Sequence, residues 1–211
     1  MGFIQLTSSP HGALVLFIKK KDSLLCLCVD FCSLNHISKK NCYPLLLISD
    51  LLDLPSKAWV YSKINLHHAY YLVHIADSDE WKTVFRTHYR LFKWSVMPFS
   101  LTNAPTAFQR FMNVIFSNLL DVCVMIYLDN ILIYLDNMSK HHQHIKKVLK
   151  HLHKAGLYAK AEKCKFHSEL VEYLEYILSP SGLTMSDDKV KIIQDWPEPK
   201  CCSNHSSLKD K

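Results

Sequence analysis

The stretch "VMIYLDNILIY", Val124–Tyr134, decides how this chain is read. Two apolar runs flank the polar pair Asp129-Asn130. Asn and Asp are favoured at two-residue hairpin tips because they tolerate positive φ, so turn chemistry alone accounts for the pair. A second reading is a ligand site, because strand, turn and strand with an acid at the tip is a common way to hold a metal ion. Strands this apolar are buried, and a buried pair seldom places a carboxylate at its tip without a partner. The residues of the stretch leave both readings open.

Outward from it, the chain alternates between strand and helix signals. "ALVLFIKKKDSLLCLCVDF" (13–31) reads as two strands around a Lys-rich turn, Lys19 to Asp22. "YPLLLISDLLDLPSKA" (43–58) has Pro44 at its start, Leu47, Leu51 and Leu54 at helical spacing, and Pro55 as its stop. "WVYSKINL" (59–66) is a strand, and "YYLVHIA" (70–76) continues with β-type residues. "WKTVFRTHYRLFKWSVMPF" (81–99) alternates as a hairpin does. "TNAPTAFQRFMNVIFSNLL" (102–120) predicts a helix with Phe108, Phe111, Met112 and Ile115 on one face. "SKHHQHIKKVLKHLHKAGLYAKAEKC" (139–164) predicts a basic amphipathic helix, with Ile145, Val148, Leu149 and Leu152 inward and a stop at Gly156. Two short strands follow. A last helix over 186–200 is capped by Ser186 and ended by Pro197. The pattern is α+β: antiparallel hairpins with helices packed on one side.

Composition narrows the class. The chain has 211 residues, enough for one large domain or two small ones, and 49% of them are hydrophobic, so it can bury a core. Lys+Arg is 25 against 19 Asp+Glu, a net +6 that permits a polyanion partner without requiring one. The 8 Cys include no C-x-x-C pair and no zinc-type frame of Cys and His. No apolar run reaches the roughly 18–20 residues that span a bilayer, and no signal peptide is evident. The expectation is an intracellular, unsecreted protein with free thiols and no membrane partner. His141, His142, His144, His151 and His153 lack the spacing and the acidic or thiol partner of a metal site, so a solvated helix face is expected. Lys19–Lys21 either cradles phosphate or decorates a loop.

Taken in order, "LFIKKKD", "LCVDFCSLN", "NCYPL", "YSKINL", "DEWKTVFRTHY", "VMPFSLTNAPTAFQRFMN", "VMIYLDNILIY", "LYAKAEKCKF" and "KVKIIQDWPEPK" resemble the reverse transcriptase of gypsy-class long-terminal-repeat retrotransposons, from about Gly2 to Lys200. The resemblance implies a right-hand polymerase fold. Its fingers would be 1–42 and 73–102, and its palm, an antiparallel sheet backed by helices, 43–72 and 103–180. Residues 181–200 would begin a thumb that is mostly missing, leaving an apolar palm edge that predicts an aggregation-prone product. Residues 201–211 would be an unstructured tail. The implied partners are a primer–template (RNA/DNA or DNA/DNA) and a deoxynucleoside triphosphate. The implied cofactor is Mg²⁺ or Mn²⁺.

Such enzymes hold two divalent cations on three Asp, because hard cations take oxygen donors beside an already anionic triphosphate. Here the three positions are Asn65, Asp129 and Asn130, so Asp129 alone keeps the charge of a metal ligand. The resemblance places Lys20, Cys26, Tyr70, Phe99, Asn103 and Gln109 around the nucleotide and template. It places Leu174 and Glu175 at the primer grip. Cys26 stands where the family has an Arg on the triphosphate, and a thiol cannot make that bidentate, charge-assisted contact. Cys32 and Cys42 also replace Arg, Ser100 replaces the Gly of the "MPFG" turn, and Glu175 replaces the Gly of the primer-grip turn. Arg to Cys, Asp to Asn, and Gly to Ser or Glu each need one C-to-T or G-to-A change, as do Gln5 and Leu46. The acid count predicts an inactive copy that has drifted without selection. The alternatives are a nucleic-acid-binding module without catalysis and a non-functional product of a decayed element.

Overall fold

The computed structural model describes residues 2–19, 23–45, 48, 51, 55, 58–135 and 137–197. Lys20 and the rest of its hairpin tip, Leu46, most of the helix expected over 43–58, and the tail 201–211 lie outside the described residues. The elements are β1 (Ile4–Leu6), β2 (Val15–Lys19), β3 (Leu25–Val29), α1 (Cys32–Ile37), β4 (Val60–Asn65), β5 (Phe85–Arg86), β6 (Leu91–Trp94), α2 (Ala104–Ile115), β7 (Val124–Tyr127), β8 (Asn130–Leu135), α3 (Met138–Lys154), β9 (Lys165–Ser168), β10 (Val171–Tyr173), β11 (Tyr176–Ser179), β12 (Gly182–Met185) and α4 (Asp187–Gln194). The architecture is α+β. The strands form antiparallel sheets ordered β7-β8-β4-β9, β10-β11-β12, β1-β6-β5 and β2-β3.

The sheet β7-β8-β4-β9 explains why 124–134 is apolar without alternation. Successive side chains point to opposite faces of a strand. Val124, Ile126, Ile131, Ile133 and Ile64 face one side, against Phe108 and Met112 of α2 and Ile145, Val148 and Leu152 of α3. Met125, Leu132, Tyr134 and Tyr61 face the other, against Val171, Tyr173 and Leu178 of the β10–β12 sheet. Both faces are covered, so both registers must be hydrophobic. Truncating one of these buried aliphatic side chains to Ala costs ~2–5 kcal/mol.

Local sequence sets the helix ends. Pro105 occupies the first turn of α2, where its missing N–H leaves nothing unpaired. The helix ends at Ile115, short of the expected 120, because Phe116 and Leu119 turn back into the core through Leu119 N–H to Phe116 C=O at 2.8 Å. α3 stops at Gly156, which takes φ +68°, and Leu157 N–H reaches back to Leu152 C=O at 2.9 Å. This six-residue closure is a Schellman cap, and Leu157 is buried with it.

Several expectations are corrected. Residues 70–76 do not continue as strand. Ala69–Leu72 is a 3₁₀ turn, after which His74 makes one bridge to Val96. Tyr70 stacks on Phe108 with centroids 4.7 Å apart, and Tyr71 lies parallel to Trp94 at 5.4 Å, so packing overrides β propensity. The hairpin over 81–99 is β5–β6, preceded by a 3₁₀ turn at Glu80–Thr83. The segment after α3 holds four strands, β9 to β12, rather than two. Leu149 is exposed rather than inward. Ser186 precedes α4, but its side chain makes no capping hydrogen bond. The histidines of α3 do not share one solvated face. His141 is fully buried, and its Nε2 lies 2.8 Å from Ser62 Oγ. Ser62 Oγ in turn accepts His167 N–H at 3.0 Å where the β4–β9 ladder shifts register.

Candidate functional site

The β7–β8 tip sets the geometry. Tyr127 pairs with Asn130, so the two-residue loop is Leu128-Asp129, and Asn130 is already the first residue of β8. The positive φ falls on Leu128, at +54°. A branched, bulky residue there is strained and needs outside support. Gln109 of α2 supplies it. Its Oε1 accepts Leu128 N–H at 2.8 Å, and its Nε2 donates to Ile126 C=O at 3.1 Å and to Asn113 Oδ1 at 2.9 Å. Gln109 thus clamps the loop that raises Asp129. The sequence marked Gln109 for the template–nucleotide pocket. Its role as a clamp was not legible, because Gln109 and Leu128 meet only in the fold.

β4 and β8 bring Asn65 opposite Asn130. By strand alternation both side chains share the face of Tyr61 and Leu132, away from α2 and α3. Asn65 Nδ2 donates to Asn130 Oδ1 at 2.8 Å, and Asn130 Nδ2 donates to Asp129 Oδ1 at 3.2 Å. The main chain locks the three together. Asp129 C=O accepts Leu66 N–H at 2.9 Å, Asn65 C=O accepts Lys160 N–H at 2.8 Å, and Tyr173 Oη donates to Asn130 C=O at 3.1 Å. Burial raises the Asp129 pKa above the ordinary carboxylate range, opposed by hydrogen bonding to its carboxylate and by the Lys163 and Lys63 charges. Tyr70 sits nearby, and its phenol is pushed up to about 12, first by burial and then by the Asp129 charge. Lys63 and Lys163 carried no sequence signal as neighbours of Asp129.

The donor set bears directly on the cations the resemblance implies. Two divalent cations need several anionic oxygens. The site offers one carboxylate and two amides, and those amides already satisfy one another and one carboxylate oxygen. These residues do not fit a two-cation centre. Among the described residues, no other group of three or more His, Cys, Asp or Glu side chains could hold a metal ion.

The remaining predicted residues are spread over the other elements of the chain. Cys26, half-buried in β3, pairs with Ile18. Phe99 is partly exposed. Asn103, just before α2, is held by the segment that follows α1: its Oδ1 accepts Asn41 N–H at 2.9 Å and its Nδ2 donates to Lys39 C=O at 2.8 Å. It lines a cavity of about 510 Å³ with Asn35, Lys39 and Lys82. Leu174 and Glu175 form the two-residue tip between β10 and β11, with φ +51° and +68°. Two positive φ values are what Asn-Gly would satisfy, so both residues are strained. Glu175 Oε2 pairs with Lys189 Nζ at 2.5 Å.

The site is thus an antiparallel sheet backed by two helices, with a carboxylate raised on the β7–β8 hairpin. The family model described as reverse transcriptase (RNA-dependent DNA polymerase) matches residues 18–197. The chain belongs to the reverse transcriptase family. It is 35% identical over 199 residues to the Transposon Tf2-7 polyprotein of Schizosaccharomyces pombe and 34% identical to the Tf2-3 polyprotein, covering 94% of this chain in each case. It spans 15% of the length of these relatives. Among solved structures it resembles the foamy viral protease-reverse transcriptase in complex with RNA/DNA hybrid, at TM-score 0.86 and 19% identity, covering 99% of this chain and 28% of that one. The same viral protein's dRH form in complex with dsDNA gives TM-score 0.89 and 19% identity, with 98% and 36% covered. At that identity the likeness is one of fold.

Proposed function

We propose that this chain is the fingers-and-palm portion of a gypsy-class retrotransposon reverse transcriptase that has lost polymerase activity. The fingers are 1–42 and 73–102, the palm is 43–72 and 103–180, and 181–200 begins the thumb. The observation that carries the inactive reading is the Asn65–Asn130–Asp129 chain of hydrogen bonds. A site that once bound two divalent cations now satisfies its own donors and holds one negative charge. If each lost carboxylate removes a few kcal/mol of transition-state stabilisation, each loss lowers the rate about 10²–10³-fold.

The ancestral reaction joins a deoxynucleotide to a primer 3′ hydroxyl on an RNA or DNA template inside the cell, with Mg²⁺ or Mn²⁺. In this copy Asp129 is the remaining ligand, and Lys20, Cys26, Tyr70, Phe99, Asn103 and Gln109 mark the former nucleotide and template positions. Leu174 and Glu175 mark the primer grip, where Glu175 now opposes a phosphate backbone. The complexes of the viral relative with RNA/DNA hybrid and with dsDNA support a primer–template as the partner of this cleft. Primer extension with Mg²⁺ and with Mn²⁺ tests the proposal. No product is expected from this chain, and extension by the unaltered protein overturns the inactive reading.

A further inference from the structure

A one-sided basic surface lies away from Asp129. No Asp or Glu occurs between Asp136 and Glu162. Within that stretch α3 carries Lys140, Lys146, Lys147, Lys150 and Lys154, all exposed. At about 100° per residue these five fall within an arc of about 120° centred opposite the buried stripe Ile145, Val148 and Leu152. None is in an ion pair among the described residues. Two exposed lysines elsewhere, Lys82 and Lys189, pair with Asp79 and Glu175. The charge on α3 is left uncompensated.

The patch continues onto β9. The His167 ring lies parallel to that of His142 with centroids 6.3 Å apart, which joins the outer side of α3 to the edge strand. β9 adds exposed Phe166, and Tyr158 stands exposed on the loop after α3. Among the described residues, Glu162, paired with Lys160 at 3.3 Å, and Glu169 are acids near β9.

We propose that the outer face of α3, extended by β9, is a second nucleic-acid site that holds the backbone of a single strand outside the primer–template cleft. The central sheet separates it from Asp129, because α3 packs on the sheet face opposite Asn65 and Asn130. The apolar stripe of α3 is consumed by the core, so this helix has no hydrophobic face to insert into a lipid surface. Lysines on successive turns, Lys146, Lys150 and Lys154, repeat at about 6 Å along the axis, and they suit an extended phosphate chain. The exposed rings of Phe166 and Tyr158 offer stacking platforms to unpaired bases, which a duplex lacks.

Two measurements on the whole chain test the site. Lysine acetylation with and without poly(U) is expected to leave Lys146, Lys150 and Lys154 protected by the polymer; protection confined to Lys63 and Lys163 overturns the proposal. The variant Lys146→Gln/Lys150→Gln/Lys154→Gln is expected to lower the slope of log affinity for poly(U) against log salt by about 2, at about 0.7 for each phosphate no longer neutralised. An unchanged slope sinks the idea. Equal affinity for poly(Glu), or tighter binding to vesicles rich in anionic lipid, also overturns it, because the surface then recognises charge and not a nucleic-acid strand. The site goes beyond the polymerase reading, and a cleft that binds no primer–template would leave these outcomes unchanged.

Discussion

Asn65 Nδ2 donates to Asn130 Oδ1 at 2.8 Å, joining β4 to β8 side chain to side chain where the β7–β8 hairpin meets its neighbour. Two carboxylates at these positions would repel one another, and two amides bind. Amides at this pair therefore stitch β4 to β8 where carboxylates would push them apart.

The variant Asn65→Asp/Asn130→Asp tests this pair. Without added metal, three clustered carboxylates are expected to lower the melting temperature below that of the unaltered chain. Mg²⁺ at about 100 times its dissociation constant should return about 2.7 kcal/mol of stability to the variant, and none to the parent. Primer extension should rise about 10²–10³-fold for each restored acid. A variant whose melt ignores Mg²⁺ would show that the palm no longer assembles a cation site.

Glu175 carries φ +68° at the β10–β11 tip. A left-handed conformation costs a residue with a Cβ roughly 1–2 kcal/mol, and Gly escapes it. The pair with Lys189 that Glu175→Gly would lose is solvent-exposed and adds little. Glu175→Gly is therefore expected to stabilise the chain by up to about 1 kcal/mol in urea denaturation, while Glu175→Ala gives no gain.

Gln109→Ala removes the clamp on the Leu128-Asp129 loop. It strips partners from the Leu128 N–H and the Ile126 C=O, and an orphaned buried backbone group costs about 1–3 kcal/mol. A loss of about 2–4 kcal/mol is expected. Backbone amide exchange should accelerate at Leu128, while α3 stays protected. Uniform acceleration across the palm would contradict a local clamp.

His141 predicts an acid-sensitive fold. Burial is the largest cause holding its imidazole down to about 4, against 6.5 for an unperturbed His, with the neighbouring His167 and His144 acting in the same direction. The unfolded chain binds this proton more tightly than the folded one. The stability it contributes is therefore full above pH 6.5 and is lost as pH falls toward 4. Denaturation midpoints recorded across that window should fall for the parent, and His141→Gln should remove part of the slope. Identical slopes in both proteins would place the acid sensitivity elsewhere.

Much of the molecule was legible in one dimension. The doubly apolar run Val124–Tyr134 announced a strand pair covered on both faces, and the stripe Ile145, Val148, Leu152 gave the inner side of α3, because both signals repeat at the period of the backbone. Gly156 marked the end of α3 for the same local reason: only a residue without Cβ takes φ +68° there without strain. The acid count at Asn65, Asp129 and Asn130 was likewise a matter of residue identity. The parts that failed were those where neighbours distant in sequence outweigh local preference. Residues 70–76 carry strand-type side chains, yet Tyr70 and Tyr71 turn into a 3₁₀ segment to reach Phe108 and Trp94.

Residue order alone settled most element types and put amides at Asn65 and Asn130. Folding in three dimensions fixed how those amides are held: a hydrogen-bonded chain from Asn65 through Asn130 to Asp129, beside a Gln109 clamp on Leu128. It also placed His141 in the core against Ser62, and left the lysines of α3 on the far side of the sheet from Asn65 and Asn130. Periodicity and residue chemistry are properties of a segment. Hydrogen-bond partners, burial and the side of a sheet on which a charge falls belong to residues brought together across the chain, and those exist only once it has folded.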